Sequence, residues 1–213
     1  VPTARFSFPT QVDFGPDAIT RLPQHIAKLG QRALIVTDPV MATLPPFARL
    51  LETLRSAETS FTVYTQVSPN PTASECEQGG LLLKEGHCDV VVGFGGGSAL
   101  DAAKGIALME RHAPPIVRYD DAKGGDAFVT KPVAPIIAIP TTAGTGSEVG
   151  RSTVVVDEAL HRKIVVFAPS LMPTLALVDP TLMTSMPAWL TAATGFDALT
   201  HNLEALLAKG YHP

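Results

Sequence analysis

The stretch Val90-Val91-Val92-Gly93-Phe94-Gly95-Gly96-Gly97-Ser98, continued by Ala99-Leu100-Asp101-Ala102-Ala103-Lys104-Gly105-Ile106-Ala107-Leu108-Met109, constrains this chain more than any other. Three consecutive valines fit a buried strand, and the Ala-, Leu- and Ile-rich run after Ser98 fits a helix. Between them, four of five positions are glycine. Backbone without side chains lets an anion come close, and the start of the following helix offers it unpaired N–H groups, so the turn reads as a phosphate cradle. The competing reading is a plain strand-to-helix turn, with Ser98 as N-cap and Asp101 completing a capping box. Capping accounts for Ser98 and Asp101 but not for the glycines. No Gly-Lys-Ser/Thr follows, which excludes a P-loop, and Ser98 stands where the dinucleotide fingerprint has its third glycine or alanine.

Around this unit the sequence alternates strand and helix patterns. Phe6 to Phe14 reads as an irregular strand pair, and Gly15-Pro16-Asp17 as a turn into a helix ending near Leu29. Arg32 to Asp38 is an apolar strand ending in a carboxylate. A helix is expected from Pro46 to Ala57, a strand from Ser60 to Val67, a rigid loop at Pro69-Asn70-Pro71-Thr72, a helix from Glu75 to Gly86 and a strand from Cys88 to Gly93. Pro135 to Pro140 is another short buried strand. Ser152 to Val156 and Arg162 to Phe167 form a hairpin across Glu158-Ala159-Leu160, and Leu175 to Asp179 is the last strand. From Pro187 to Leu207 the pattern turns helical, with Lys209, Gly210 and Pro213 as stop signals. The expected class is α/β: a Rossmann-like nucleotide-binding domain with a parallel sheet over residues 1–184, then the start of an all-helical domain over 185–213.

Composition narrows the function. With 46% hydrophobic and 17% charged residues the chain is not disordered, and a net charge of -4 without a Lys/Arg cluster argues against nucleic acid or a membrane as partner. Two cysteines, Cys76 and Cys88, fit reduced thiols in the cytoplasm rather than a disulfide framework. Val1 suggests a trimmed start.

Three further features carry chemistry. Asp38, at the carboxyl end of its strand, is placed to accept from a ribose hydroxyl, or else serves as a turn aspartate. The run Thr141-Thr142-Ala143-Gly144-Thr145-Gly146-Ser147-Glu148-Val149 leaves an apolar strand directly and can present several N–H and O–H donors to a ligand. Asp197 and His201 are four apart on a helix, so their side chains share one face, as two metal ligands or as an ordinary surface pair.

Taken together, Gly95-Gly96-Gly97-Ser98-x-x-Asp101-x-x-Lys104, Pro140-Thr141-Thr142-Ala143-Gly144-Thr145-Gly146-Ser147-Glu148 and Ala193-Thr194-Gly195-Phe196-Asp197-Ala198-Leu199-Thr200-His201 resemble the iron-containing (group III) alcohol dehydrogenases, from about Phe6 to Pro213. The resemblance implies a dehydroquinate-synthase-like architecture, with NAD (NADP as the alternative) in the N-terminal domain and a catalytic divalent metal, Fe2+ or else Zn2+, held by a helical one. It also implies a small alcohol or aldehyde substrate, a cytoplasmic enzyme, and a homodimer or higher homo-oligomer. Carried over residue by residue, it implies that Gly96, Gly97 and Ser98 hold the pyrophosphate, that Thr141, Thr142 and Ser147 surround the cofactor, and that Asp38 sits by the adenine ribose. Asn70, Asp101, Lys163 and Leu182 match positions lining the cofactor cleft, and Asp197 and His201 match the first two metal ligands, hence the catalytic pair. The family takes two more histidines from the helical domain, and none appears before Pro213, so the expectation is a truncated enzyme with half a metal site. Rival readings are a lyase of the dehydroquinate synthase type, a glycerol-dehydrogenase-like enzyme and a nucleotide-binding module without catalysis.

Overall fold

The computed structural model describes residues 10–208. In chain order its elements are β1 (Gln11–Phe14), α1 (Leu22–Leu29), β2 (Arg32–Val36), α2 (Pro45–Ser56), β3 (Ser60–Tyr64), α3 (Ala73–Glu85), β4 (Val90–Gly95), α4 (Gly97–Arg111), β5 (Ile136–Pro140), β6 (Ser152–Asp157), β7 (Arg162–Phe167), β8 (Leu175–Val178) and α5 (Ala188–Leu207), joined by short 3-10 turns. Six strands make one sheet in the order β1-β8-β5-β4-β2-β3, and every pair in it is parallel. Parallel strands need crossover helices, which cover both faces, and β4 and β5 are accordingly buried along their whole length.

The period of two sorts the strands' side chains between two cores. Ala33, Ile35, Val90, Val92 and Phe94 pack against Leu22 and Ile26 of α1 and Phe47, Leu50 and Leu54 of α2. Leu34, Val36 and Val91 face the other way, onto Leu83 of α3 and Ala102, Ala103 and Ile106 of α4. The antiparallel hairpin β6–β7 forms a separate two-stranded sheet, packing Val155, Ile164 and Val166 against Cys76 of α3, Leu108 of α4 and Tyr119. It thereby lies beside α4.

Most sequence expectations hold within a residue or two. Of the strand pair expected from Phe6 to Phe14, the described part is one strand, Gln11 to Phe14, which pairs in register with Leu175 to Val178 of β8, and the strand expected from Ser60 to Val67 ends earlier, at Tyr64. Phe6 to Pro9, and the stop signals Lys209, Gly210 and Pro213, lie outside the described residues. α5 forms as expected yet buries none of its residues, leaving Trp189, Phe196, Leu199, Leu206 and Leu207 exposed. No helix among the described residues is long and apolar enough to cross a membrane.

α3 and α4 approach closely because α3 carries Gly79 and Gly80 at the contact. A Cβ on Gly80 would stand 2.6 Å from Met109 Cβ and 3.0 Å from its backbone carbon. This contact positions the helix whose start forms the candidate site. Gly80→Ala gains roughly 1 kcal/mol of helix propensity, whereas overpacking against backbone costs about 1–3 kcal/mol. The variant is therefore expected to be less stable than wild type in urea unfolding. Equal or greater stability would show that the two helices can separate freely.

Candidate active site

The chain leaves β2 toward β3 on one side and leaves β4 toward β5 on the other, so the strand order reverses between β2 and β4. A crevice opens at the carboxyl ends of strands at such a switch point. Gly95, the last residue of β4, sits there at φ +149, a conformation unfavourable for side chains, and a Cβ on it would meet Ala99 Cβ at 2.7 Å. Gly96 is the N-cap of α4 and has no side-chain capping bond, so the helix starts with open N–H groups. The capping alternative for Ser98 and Asp101 is thus not what forms: Ser98 lies inside the helix and its Oγ donates to the Pro69 carbonyl at 2.5 Å. Gly97 is pressed under the hydroxyl-rich loop, where a Cβ would stand 2.7 Å from Thr145 Cγ2.

Three strand ends meet at this turn. Asp38, after β2, accepts from the Val40 and Met41 N–H groups through Oδ1 at 2.9 and 2.8 Å, so it is a turn aspartate. Its other oxygen lies 3.8 Å from the position of a Cβ on Gly95. Both readings of Asp38 are therefore compatible. Thr37 and Thr141, after β2 and β5, bury hydroxyls that have no hydrogen-bond partner, and the Thr141 N–H donates to the Gly95 carbonyl at 2.9 Å. Buried hydroxyls are ordinarily paired, so these two are notable next to an uncapped helix start.

Asp101 forms part of the site's inner wall, with Ser147 buried behind it. Asp101 accepts from Ser147 Oγ at 2.7 Å and from the Val154 N–H at 3.1 Å, joining α4, the loop and β6. Behind them Lys104, 1% exposed, donates to Ser147 Oγ at 2.8 Å and to the Ser152 carbonyl at 2.9 Å, with Asp101 Oδ1 3.9 Å away. Burial pushes the Lys104 ammonium down to about 8, against the pull of Asp101 and Glu148. Burial likewise pushes the Asp101 carboxyl up, opposed by Ser147, Lys104, Val154 and Lys163. Lys104 is quoted in the sequence motif but receives no role there. The signal was present, since a lone cation in the apolar run from Ala102 to Met109 must find buried partners.

On the far side, α5 leans on the loop at Gly144, φ +119, where a Cβ would stand 2.6 Å from Asp197 Oδ2 and 3.1 Å from the Thr194 carbonyl. His201 points its Nδ1 at the Gly144 carbonyl, 3.1 Å away. A carbonyl only accepts, so Nδ1 is the donor, and in the neutral ring the Nε2 lone pair is the one left to bind a metal. That arrangement is typical of an imidazole oriented for a metal. Among the described residues no group of three or more His, Cys, Asp and Glu side chains converges as a metal site.

A cleft of about 400 Å³ brings Asn70, Gly97, Ser98, Asp101, Thr142, Lys163 and Asp197 together. Gly96 borders it, since a Cβ there would lie 3.2 Å from Thr142 Oγ1. Thr141 and Ser147 are buried behind its wall, Asp38 stands at the outer end of the glycine turn, and Leu182 is packed in the core with Leu22 and Phe47. A second groove of about 590 Å³ lies at the opposite end of α4, lined by Glu77, Lys84 and His112 among others. Two of its polar side chains are engaged: both His112 nitrogens pair with Leu108 and Lys131 backbone, and Glu77 holds the Ile116 N–H.

A family model described as iron-containing alcohol dehydrogenase matches residues 9–180. The chain is 37% identical to alcohol dehydrogenase 4 of Schizosaccharomyces pombe, over 100% of this chain and 50% of that protein. It is also 37% identical to the NAD-dependent methanol dehydrogenase of Bacillus methanolicus, over 98% of this chain and 54% of that one. A crystal structure of 1,3-propanediol oxidoreductase superposes with a TM-score of 0.91 at 36% identity, covering 99% of this chain and 55% of the other. The chain thus spans about half the length of these relatives.

Lys104 gives a pH signature. Its pKa of about 8 lies below the ordinary 10.5, so the folded chain binds this proton less tightly than the unfolded one, and the group adds stability as pH rises from about 8 to 10.5. Cys76 and Tyr64, both pushed up by burial, act in the opposite direction. Comparing wild type with Lys104→Met at pH 8 and pH 10 isolates the lysine: wild type should gain stability relative to the variant between the two. A constant difference would place the ammonium in contact with water.

Proposed function

This chain belongs to the iron-containing alcohol dehydrogenase family, and from that premise we propose that it supplies the cofactor-binding part of a metal-dependent dehydrogenase moving a hydride between a small alcohol or aldehyde and NAD. The observation that carries the reading is the switch-point turn, where an uncapped helix start, a positive-φ glycine and a buried, unpartnered Thr141 hydroxyl converge. A pyrophosphate is the group that such a cradle suits, with the open N–H groups of Gly97 and Ser98 as donors. Thr142, Asn70, Asp101 and Lys163 then line the path of the cofactor toward Asp197. Ser147 holds Asp101, and Leu182, matched to this cleft by the resemblance, is packed in the core with Leu22 and Phe47.

Asp197 and His201 are the donors we assign to a divalent metal, Fe2+ by family, with Zn2+ the alternative. Their carboxylate and imidazole chemistry fits, His201 is held by the Gly144 carbonyl and Asp197 lies against the same glycine. When bound, the metal supplies Lewis-acid polarisation of a substrate oxygen and the nicotinamide takes up hydride. The chain's own task is to hold the two ends of that reaction in one cleft and keep water out.

A boundary near Thr184 belongs to the same reading, since no residue of α5 is fully buried. Two buried free thiols, Cys76 and Cys88, support a cytoplasmic setting. An edge strand with Phe14 70% exposed, and no second partner among the described residues, supports a homo-oligomer.

The direct test is turnover of the whole, metal-loaded protein against a panel of small primary alcohols and diols. Net NADH is expected, and its loss together with bound metal in Asp197→Ala and His201→Ala. Product formed without net NADH would instead indicate a lyase. Asp38 is expected to set NAD over NADP, because its outward carboxylate oxygen accepts from a 2′-hydroxyl and repels a 2′-phosphate. Asp38→Asn keeps the acceptor for Val40 and Met41 and removes the charge, so its ratio of kcat/KM for NAD over NADP should fall at least about tenfold, roughly 1.4 kcal/mol. An unchanged ratio would remove Asp38 from the ribose site.

A further inference from the structure

Lys104 is the largest unexplained expense in the molecule. Lysine is almost never fully buried without a paired counter-charge, and here the ammonium meets a serine hydroxyl and a backbone carbonyl, with the Asp101 carboxylate beyond hydrogen-bond distance. An apolar side chain of similar length would fill the space without desolvating a charge. Stability therefore does not explain the residue, whereas its position does.

The charge sits where three elements meet. Lys104 belongs to α4, two turns after the glycine turn; Ser147 belongs to the loop that covers Gly97; Ser152 opens β6. Ser147 accepts from the ammonium and donates its own O–H to Asp101, whose second oxygen accepts from the Val154 N–H. Thr153 Oγ1 adds a bond to the Asp101 carbonyl at 2.7 Å. The result is a single chain of donors, Lys104 to Ser147 to Asp101, in which only the last member reaches the cleft.

We propose that Lys104 is a positioning residue: acting through Ser147, its buried ammonium holds the Asp101 carboxylate and the Thr141–Gly150 loop in the arrangement that receives the cofactor. The ligand in this statement rests on the NAD reading above, while the clamp itself does not. Removing the ammonium's proton leaves Ser147 without a charged donor and Asp101 with Lys163 as its remaining counter-charge. The groups that face this network are Asp101 from α4, Ser147 and Glu148 from the loop, Ser152 from β6 and Lys163 from β7. Burial brings the Lys104 ammonium down to about 8. NAD affinity should accordingly weaken as pH rises through that value.

Two measurements on the whole protein, wild type and Lys104→Met, test this. Hydrogen exchange without ligand should be about tenfold faster in the variant at the Ser147 and Val154 amides, with Val91 and Val92 in the sheet unchanged, as expected for losing a charged hydrogen bond. Calorimetric titration with NAD should give a Kd about tenfold weaker in the variant at pH 7, with the wild type's weakening between pH 7 and pH 9.5 abolished. Unchanged loop exchange would overturn the clamp. Faster exchange with an unaltered NAD Kd and pH profile would overturn the positioning role and leave a structural one. Should Lys104→Met fail to fold, Ser147→Ala removes the relay alone and must reproduce both effects. A wild-type protein that binds no NAD contradicts the cofactor reading, and the exchange comparison, which needs no ligand, still decides the clamp.

Discussion

The close approach of backbone to backbone where β4 becomes α4 is the constraint on which the rest of the structure depends. Gly95 has to adopt a positive φ, Gly97 has to pass beneath Thr145, and Gly93 has to let Leu100 and Ala103 of α4 lie within 3.0–3.1 Å of where a Cβ would be. Only a helix drawn that tightly onto its strand aims its free N–H groups at the crevice between β2 and β4. The requirement spreads outward. α3 must also lie close, hence Gly79 and Gly80, and the 141–150 loop must fold back over the turn, which Lys104 and Asp101 secure from below.

The site is thus built on two sides. The sheet side is rigid, with strand ends, a glycine turn and three buried or half-buried polar residues, Thr37, Asp38 and Thr141. The other side is supplied by α5, which touches the loop chiefly through Gly144 and leaves its apolar residues in solvent. A cofactor spanning the cleft would bind first to the rigid side, with Asp197 and His201 at its far end.

Much of this was legible in the sequence. Alternating apolar strands and amphipathic helices announced a parallel sheet, and the dense glycines after Val92 announced the turn, because no other residue tolerates that geometry. Two classes of feature were not legible. Ser98 and Asp101 have the spacing of a capping box, but the structure bonds them to Pro69, Ser147 and Val154, partners 29 to 53 residues away that local pattern cannot foresee. Lys104, likewise, is one cation in an apolar run until the loop and β6 close over it, and Leu182 matches a cleft position by motif while its side chain packs into the core. At Gln11 to Phe14 the strand was legible and its β8 partner was not, because strand pattern does not reveal a partner more than 160 residues downstream.

The central claim is that the uncapped start of α4 receives the pyrophosphate of a dinucleotide. A crystal structure of the whole protein with NAD tests it most directly. The account predicts the pyrophosphate oxygens within hydrogen-bond distance of the Gly97 and Ser98 N–H groups, with the adenine ribose toward Asp38 and the nicotinamide toward Asp197. Pyrophosphate density elsewhere, with the glycine turn facing only water, would contradict it.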